Sequence, residues 1–309
     1  MPAEFTTQTW NPALEDDCRA LIRLAIREDL DRTYDWTTVA LVPTEARGKA
    51  NVAAREAGVV AGVQVAQLVI AEMQLDVTWK SLLHDGDDVA AGQALAELEG
   101  SARDLLTGER IMLNFLGRLS GIASLTKQYV AAIAGTSARI YDTRKTTPAW
   151  RRAEKYAVHC GGGWNHRTGL FDAVLIKDNH LALAAQCATA PARTPAEAIT
   201  ATREFLRTMF PDPLTAAAMI VEIEVDTLAQ FEQVLPQQPN IILLDNMSLA
   251  DLRTAVALRN AAASTVQLEA SGGVNLTTVH DIAATGVDRI SVGALTHSAR
   301  VLDIGLDWL

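Results

Sequence analysis

The spacing of apolar positions changes along the chain, and each change predicts a different kind of element. Asn11-Pro12 offers a cap and a first helical residue. Leu14, Cys18, Leu21, Ile22, Ala25 and Ile26 then recur at helical spacing, with Glu15, Asp16, Arg19, Arg23 and Arg27 on the other faces. From about Gly48 the apolar runs shorten. KANVAARE, GVVAG, LDVTWKSLL and QALAELEG read as strands, AQLVIAEM as a helix and His84-Asp85-Gly86-Asp87 as a turn. This pattern predicts an α+β domain over residues 1–112. Ser101 and Asp104 then resemble a capping box that opens a long helical stretch, with a break or bend expected near Gly117 and Gly121.

After residue 135 the rhythm becomes strand, helix, strand. ARIYDTR, DAVLIKD, AMIVEIEV, IILLDN, VQLEASG and DRISVGAL read as strands. The helices between them include PAEAITATREFLRTM, DTLAQFEQVL with Asp226 as cap, SLADLRTAVALRNA with Ser248 and Asp251 as a capping box, and NLTTVHDIAATG with Asn275 as cap. Apolar, β-branched strands alternating with helices predict a parallel sheet covered by helices. Polar residues gather at the C-terminal ends of the strands: Arg144 and Lys145, Lys177 to Asn179, Glu222 and Glu224, Asp245 and Asn246, Glu269 with Ser271-Gly272-Gly273, and Gly293. Use of every strand end favours a barrel, whereas an open doubly wound sheet would concentrate its ligands at one crevice. The fold class is α/β: an incomplete (β/α) barrel over residues 113–297 with a smaller N-terminal α+β domain. The terminal segment 298–309 alternates as a strand that could return to that first domain.

Charge sharpens the picture. The chain has 27 Lys and Arg against 37 Asp and Glu, a net charge of −10. Between Asp142 and His180 seven basic residues (Arg144, Lys145, Arg151, Arg152, Lys155, Arg167 and Lys177) outnumber four acidic ones (Asp142, Glu154, Asp172 and Asp178). A cationic cluster in an acidic chain fits a pocket for a small anion better than a nucleic-acid surface. No apolar run reaches the roughly 20 residues that span a bilayer, and the N-terminal residues do not read as a signal peptide. Three cysteines, Cys18, Cys160 and Cys187, without CxxC argue for a reducing cytoplasm and against a disulfide frame or zinc site. Cys160 reads as a small buried thiol rather than a nucleophile.

Gly161-Gly162-Gly163 directly before Trp164-Asn165-His166-Arg167 permits backbone conformations and close approaches that side chains forbid. The glycines after the last two strands could cradle a phosphate with backbone N–H groups. Glu222 and Glu224, two apart in one strand, face the same way. Together with Asp245 they could hold Mg²⁺ or sugar hydroxyls; Glu222 is assigned no role.

TRKTTP, EKYAV, GGGWNHRTGL and LIKDNH, in this order and spacing, resemble the quinolinate phosphoribosyltransferase family, and the similarity extends over most of the chain. One departure is Ala149-Trp150 after Pro148, where that family usually has Gly-Leu. The resemblance implies decarboxylating transfer of phosphoribosyl from 5-phosphoribosyl 1-pyrophosphate to quinolinate in NAD biosynthesis, with Mg²⁺ as cofactor. It implies a quinolinate pocket of Arg144, Lys145, His166, Arg167 and Lys177, and ribose- and magnesium-contacting carboxylates at Glu224 and Asp245. Ser271, Gly272 and Gly293 match 5′-phosphate contacts, and Lys145, Lys177, Glu224 and Asp245 are the expected catalytic groups. Arg110, in the GERIMLN segment, is expected to reach the active site of a neighbouring subunit, which implies a homodimer or higher homo-oligomer. No nucleic-acid or membrane partner is expected. Three other readings remain open: a nicotinate phosphoribosyltransferase, a Schiff-base aldolase using Lys177 or Lys145, and a non-catalytic protein that binds a pyridine or phosphosugar.

Overall fold

The computed structural model describes residues 4–186 and 193–309, so Cys187 lies outside the described residues. The chain forms two compact units, one of residues 7–128, 145–163 and 294–309, the other of the remaining segments.

The first unit holds α1 (Pro12–Leu30), α2 (Trp36–Leu41), β1 (Arg47–Ala54), β2 (Gly58–Val59), α3 (Val63–Met73), β3 (Val77–Ser81), β4 (Asp88–Val89) and β5 (Ala94–Ser101). Most of α4 (Ala102–Ala132), α5 (Arg151–Cys160), α12 (Ala294–His297) and β12 (Ile304–Trp308) complete it. The Asn11 side chain caps α1 by accepting the Leu14 N–H at 3.0 Å. The buried face of α1 is Leu14, Cys18, Leu21 and Ile22, as its spacing predicts. The main sheet is antiparallel in the order β12-β1-β5-β3, with Ala50 opposite Trp308 and Ala54 opposite Ile304. The expected break in α4 is absent: it runs as one helix of 31 residues. Gly117 and Gly121 instead let another segment come close, since a Cβ on Gly121 would sit 1.9 Å from the Arg300 carbonyl oxygen. Two glycines cost a helix about 1 kcal/mol each, which the residues around them in a helix this long can carry.

The other unit holds β6 (Arg139–Tyr141), β7 (Val174–Ile176), α6 (Asp178–Ala185), α7 (Pro195–Met209), α8 (Pro213–Ala218) and β8 (Val221–Val225). α9 (Leu228–Val234), β9 (Ile241–Asp245), α10 (Leu249–Ala261), β10 (Gln267–Ser271), α11 (Val279–Ala283) and β11 (Arg289–Ser291) follow. All six expected strands are present and form one parallel sheet in the order β6-β11-β10-β9-β8-β7. Among the described residues β6 and β7 do not pair, and Trp164 makes an isolated parallel bridge to Tyr141 beside β6. The barrel is therefore incomplete. It is nonetheless curled, because His166, two residues beyond that bridge, faces Glu222 on β8 and Glu269 on β10.

Strand alternation sends Ile140, Ile223, Ile242, Leu268 and Ile290 toward the helices, all of them buried. The opposite face carries Tyr141, Glu222, Glu224, Asp245, Glu269, Arg289 and Ser291, an unusually polar interior. Two caps differ from expectation. Thr227, not Asp226, caps α9, its hydroxyl accepting the Gln230 N–H at 3.3 Å. α11 starts only at Val279, while Asn275 turns the preceding loop by accepting the Thr277 N–H at 2.9 Å. Ser248 caps α10 as expected.

Candidate active site

A parallel sheet points every strand the same way, so residues at its C-terminal strand ends share one rim. Arg144 follows β6, Lys177 follows β7, Glu224 lies near the end of β8, and Asp245 and Ser271 end β9 and β10. Gly293 follows β11. This barrel unit thus brings together Arg144, Arg167, Lys177, Glu224, Asp245, Ser271, Gly272 and Gly293.

Asp142 organises the cationic side. Its fully buried carboxylate accepts the Asn165 amide N–H at 2.7 Å and the His166 backbone N–H at 2.8 Å. The Asp142 backbone N–H donates to the Trp164 carbonyl at 3.1 Å. These bonds lay segment 164–167 alongside β6. Arg167 is buried and donates from Nη1 to the Ala173 carbonyl at 3.1 Å, while its Nε makes no hydrogen bond among the described residues. Burial first, and then the charge of Arg144, hold its pKa below the usual guanidinium value. Two guanidinium groups that repel one another in a half-dry setting favour an anion between them.

His166 lies below this rim, 5% exposed. Its Nδ1 accepts the Arg167 backbone N–H at 2.8 Å, which places the proton of the neutral ring on Nε2. Nε2 lies 3.0 Å from Glu222 and 3.5 Å from Glu269. Burial pulls the imidazole pKa down, but the two carboxylates outweigh it and the net shift is upward. Taking up a second proton would require the Nδ1 contact to open. Glu222, given no role in the sequence reading, is thus an interior partner of His166; neither of its oxygens makes an aligned hydrogen bond among the described residues.

The acidic side sits higher. Lys177 Nζ pairs with Glu224 Oε2 across adjacent strand ends, the lysine 45% and the glutamate 12% exposed. Asp245 accepts the Asn246 amide N–H at 2.7 Å, and the Asn246 backbone N–H donates to the Ser271 carbonyl at 2.9 Å. Gly272 follows with φ +94, where a Cβ would lie 2.1 Å from Asn246 Oδ1. Only glycine fits there, and Gly273 continues the left-handed conformation at φ +62. Glycines in such a turn carry no side chain that would screen their backbone N–H groups from an anion.

Two expected site residues belong to the other unit. Lys145 and Arg110 are both exposed, Arg110 on α4, and the Lys145 carbonyl accepts the Thr296 hydroxyl at 2.7 Å. Glu154, completely buried, accepts from the Thr147 hydroxyl at 2.8 Å, the Thr147 N–H at 3.1 Å and Arg118 Nη2 at 2.6 Å. It thereby fixes the turn after Lys145. Gly161 and Gly163 pack tightly on α4, where a Cβ would come within 2.3 Å of the Ala123 carbonyl oxygen and 2.7 Å of Thr126. Burial pushes the Cys160 thiol up to about 12, which suits packing and not nucleophilic attack.

Sequence reasoning missed Asp142, Glu154 and Arg289 as organisers. Their signal was present only as acids inside a cationic run and as a lone arginine opening an apolar strand.

Family models and related proteins cover most of the chain. The model of the quinolinate phosphoribosyl transferase C-terminal domain matches residues 122–307, and that of the N-terminal domain matches residues 35–120. A nicotinate-nucleotide pyrophosphorylase (carboxylating) of Mycobacterium leprae is 44% identical over 294 residues, covering 94% of this chain and 97% of that protein. A decarboxylating quinolinate phosphoribosyltransferase of Nicotiana tabacum is 38% identical over 305 residues, covering 94% and 82%. The solved nicotinate-nucleotide pyrophosphorylase of Francisella tularensis superposes with a TM-score of 0.85 at 33% identity, covering 99% of this chain and 100% of that one.

Proposed function

Because the chain belongs to the quinolinate phosphoribosyltransferase family, we infer that its barrel rim is the site where the reaction of that family is carried out. The protein is a decarboxylating quinolinate phosphoribosyltransferase of NAD biosynthesis. Quinolinate carries two adjacent ring carboxylates. Arg144 and Arg167 take them by charge-assisted hydrogen bonds, with Lys177 adding charge beside them, each bond contributing about 1.5–3 kcal/mol. The observation that carries this assignment is the buried guanidinium of Arg167 at the strand-end rim, whose Nε makes no hydrogen bond among the described residues. His166 acts from below, holding Arg167 through its backbone.

The ribose and its phosphates fall on the acidic side. Gly272, Gly273, Ser271 and Gly293 seat the 5′-phosphate through backbone N–H groups. Glu224 and Asp245 face the sugar and stabilise the positive charge that builds on the ribose ring. The same two carboxylates suit Mg²⁺: they are hard oxygen donors, too few for a protein cage and enough for an ion that shares substrate phosphates and water. When bound, Mg²⁺ neutralises the oxygens of the departing pyrophosphate. The buried His166, Glu222 and Glu269 group also has ligand atoms within 4.8 Å of one another. It suits Mg²⁺ less, since Arg289 and the Ser291 hydroxyl already engage Glu269.

The pyridine nitrogen attacks the anomeric carbon while the bond to pyrophosphate breaks. The resulting pyridinium accepts the electron pair left when the 2-carboxylate departs as CO₂, and protonation of that carbon yields nicotinate mononucleotide. Lys177, at the rim of the barrel unit, supplies the electrostatic stabilisation of this second step.

The protein works as a homodimer or larger assembly in a reducing cytoplasm, with Arg110 serving a neighbouring subunit's site. The exposure of Arg110 on α4 and the free thiols of Cys18 and Cys160 support this reading. Arg110→Ala mixed with Lys177→Ala should regain activity once subunits exchange; no recovery with exchange demonstrated would place Arg110 in its own chain's site. Parallel assays with quinolinate and nicotinate test the substrate. Turnover of quinolinate alone is expected, and equal use of nicotinate would contradict the two-carboxylate pocket.

A further inference from the structure

The interior of the barrel unit contains a chain of contacts that starts near the N-terminus and ends at the cationic pocket. The Glu4 carboxylate accepts the Tyr141 hydroxyl at 2.8 Å, Arg139 Nη1 at 3.0 Å and Arg289 Nη1 at 3.2 Å. Arg289 is completely buried, its guanidinium 3.6 Å from the Tyr141 ring centre and 5.0 Å from that of Phe5. Its Nε donates to Glu269 Oε2 at 2.8 Å, and Glu269 Oε1 lies 3.5 Å from His166 Nε2. Phe5 reaches the same histidine directly, with ring centres 4.4 Å apart and planes tilted by 31°. His166 in turn accepts the backbone N–H of Arg167.

Phe5 is only 7% exposed and packs with Ala173, Ile220 and Ile241, residues at or just before the starts of β7, β8 and β9. It therefore closes the end of the barrel opposite the strand ends that carry the pocket. Glu222, Glu269 and Arg289 are completely buried, and charges without water are held only by one another and by close partners. Glu4 completes the set around Arg289, which in turn holds Glu269 against His166.

We propose that Glu4 and Phe5 are positioning residues for the anion pocket: they plug the closed end of the barrel and hold His166, and through it Arg167, in register for the ring carboxylates. This rests on the pocket assignment made above. The plug touches no substrate, so its effect is confined to the placement of the quinolinate-binding arginine and does not extend to the phosphate seat at Gly272.

Steady-state kinetics on the full chain test it. Phe5→Ala should raise KM for quinolinate about tenfold, since displacement of a binding group by about 1 Å costs up to about a hundredfold. KM for 5-phosphoribosyl 1-pyrophosphate should stay within about twofold of wild type. Glu4→Gln, which keeps the shape and removes the charge, should move the quinolinate KM in the same direction by less, and it decides the matter should Phe5→Ala fail to fold. Phe5→Leu should restore most of the affinity by refilling the plug. Leu252→Ala, buried on α10 outside this cluster, should lower the melting temperature without this selective effect. The proposal is overturned by wild-type quinolinate KM in Glu4→Gln and Phe5→Ala, or by an equal effect in Leu252→Ala. Arg167→Met separates the two layers of argument. If it raises the quinolinate KM while the plug variants do not, the plug alone is refuted; if it has no effect, the pocket assignment falls first.

Discussion

Asp142→Asn changes one atom pair and should dismantle the cationic pocket. The wild-type carboxylate accepts, among its contacts, the Asn165 amide at 2.7 Å and the His166 backbone N–H at 2.8 Å, in a place with no solvent exposure. Hydrogen bonds to a charged group contribute about 1.5–3 kcal/mol each. An asparagine has one acceptor oxygen, so it keeps one neutral bond of about 1 kcal/mol and turns an N–H toward the other donor. Leaving that donor unpaired and buried costs a further 1–3 kcal/mol or so. The net loss is about 3–8 kcal/mol, a large share of the roughly 5–15 kcal/mol that holds a domain folded. Asn165→Ala, which removes one donor and leaves the charge, should cost about half as much. Urea unfolding followed by intrinsic fluorescence reads the stability, and quinolinate KM reads the pocket, since segment 164–167 carries Arg167. An Asp142→Asn protein with the unfolding midpoint and quinolinate KM of wild type would refute the claim that this carboxylate sets the pocket.

Other expectations address separate parts of the site. Lys177→Ala should lower kcat about a hundredfold or more, as loss of a preorganised charge does; the unfolding midpoint should barely move because the lysine is half exposed, and near-normal turnover would remove it from the site. Gly272→Ala puts a methyl group 2.1 Å from Asn246 Oδ1 at φ +94; KM for 5-phosphoribosyl 1-pyrophosphate should rise while that for quinolinate holds, and the opposite split would misplace the phosphate seat. Ala149 occupies φ +67, a conformation costing a non-glycine residue roughly 1–2 kcal/mol. Ala149→Gly relieves that strain against an unfolded-state entropy cost of about 0.4–1 kcal/mol, so the melting temperature should rise by roughly 1–3 °C, and a fall would show that the turn tolerates alanine without strain.

The sheet was legible because its strands are short apolar runs separated by well-spaced helices, and because Glu222 and Glu224 two residues apart must share a face. The placement of polar residues at strand ends was legible for the same reason: parallel topology turns sequence position into place. Other features depend on partners distant in the chain. Gly117 and Gly121 read as helix breakers because nothing local reveals that Arg300 to Leu302 run against them. Asp226 and Thr227 are both capping residues, and one residue of offset decides between them. Glu4 and Phe5 carry no local signal, since the partner that gives Glu4 meaning, Arg289, is 285 residues away. The resemblance puts His166 in the quinolinate pocket, but nothing local reveals the contacts of its ring nitrogens with the Arg167 backbone and a pair of interior carboxylates.

The central claim is that the guanidinium groups of Arg144 and Arg167, at the open end of the barrel, receive the adjacent carboxylates of quinolinate. A crystal structure of the protein with quinolinate bound tests it most directly. Both arginines should lie within about 3 Å of carboxylate oxygens, with Lys177 beside them and the phosphate seat at Gly272 left open. Quinolinate bound elsewhere, with both guanidinium groups facing water, would contradict the account.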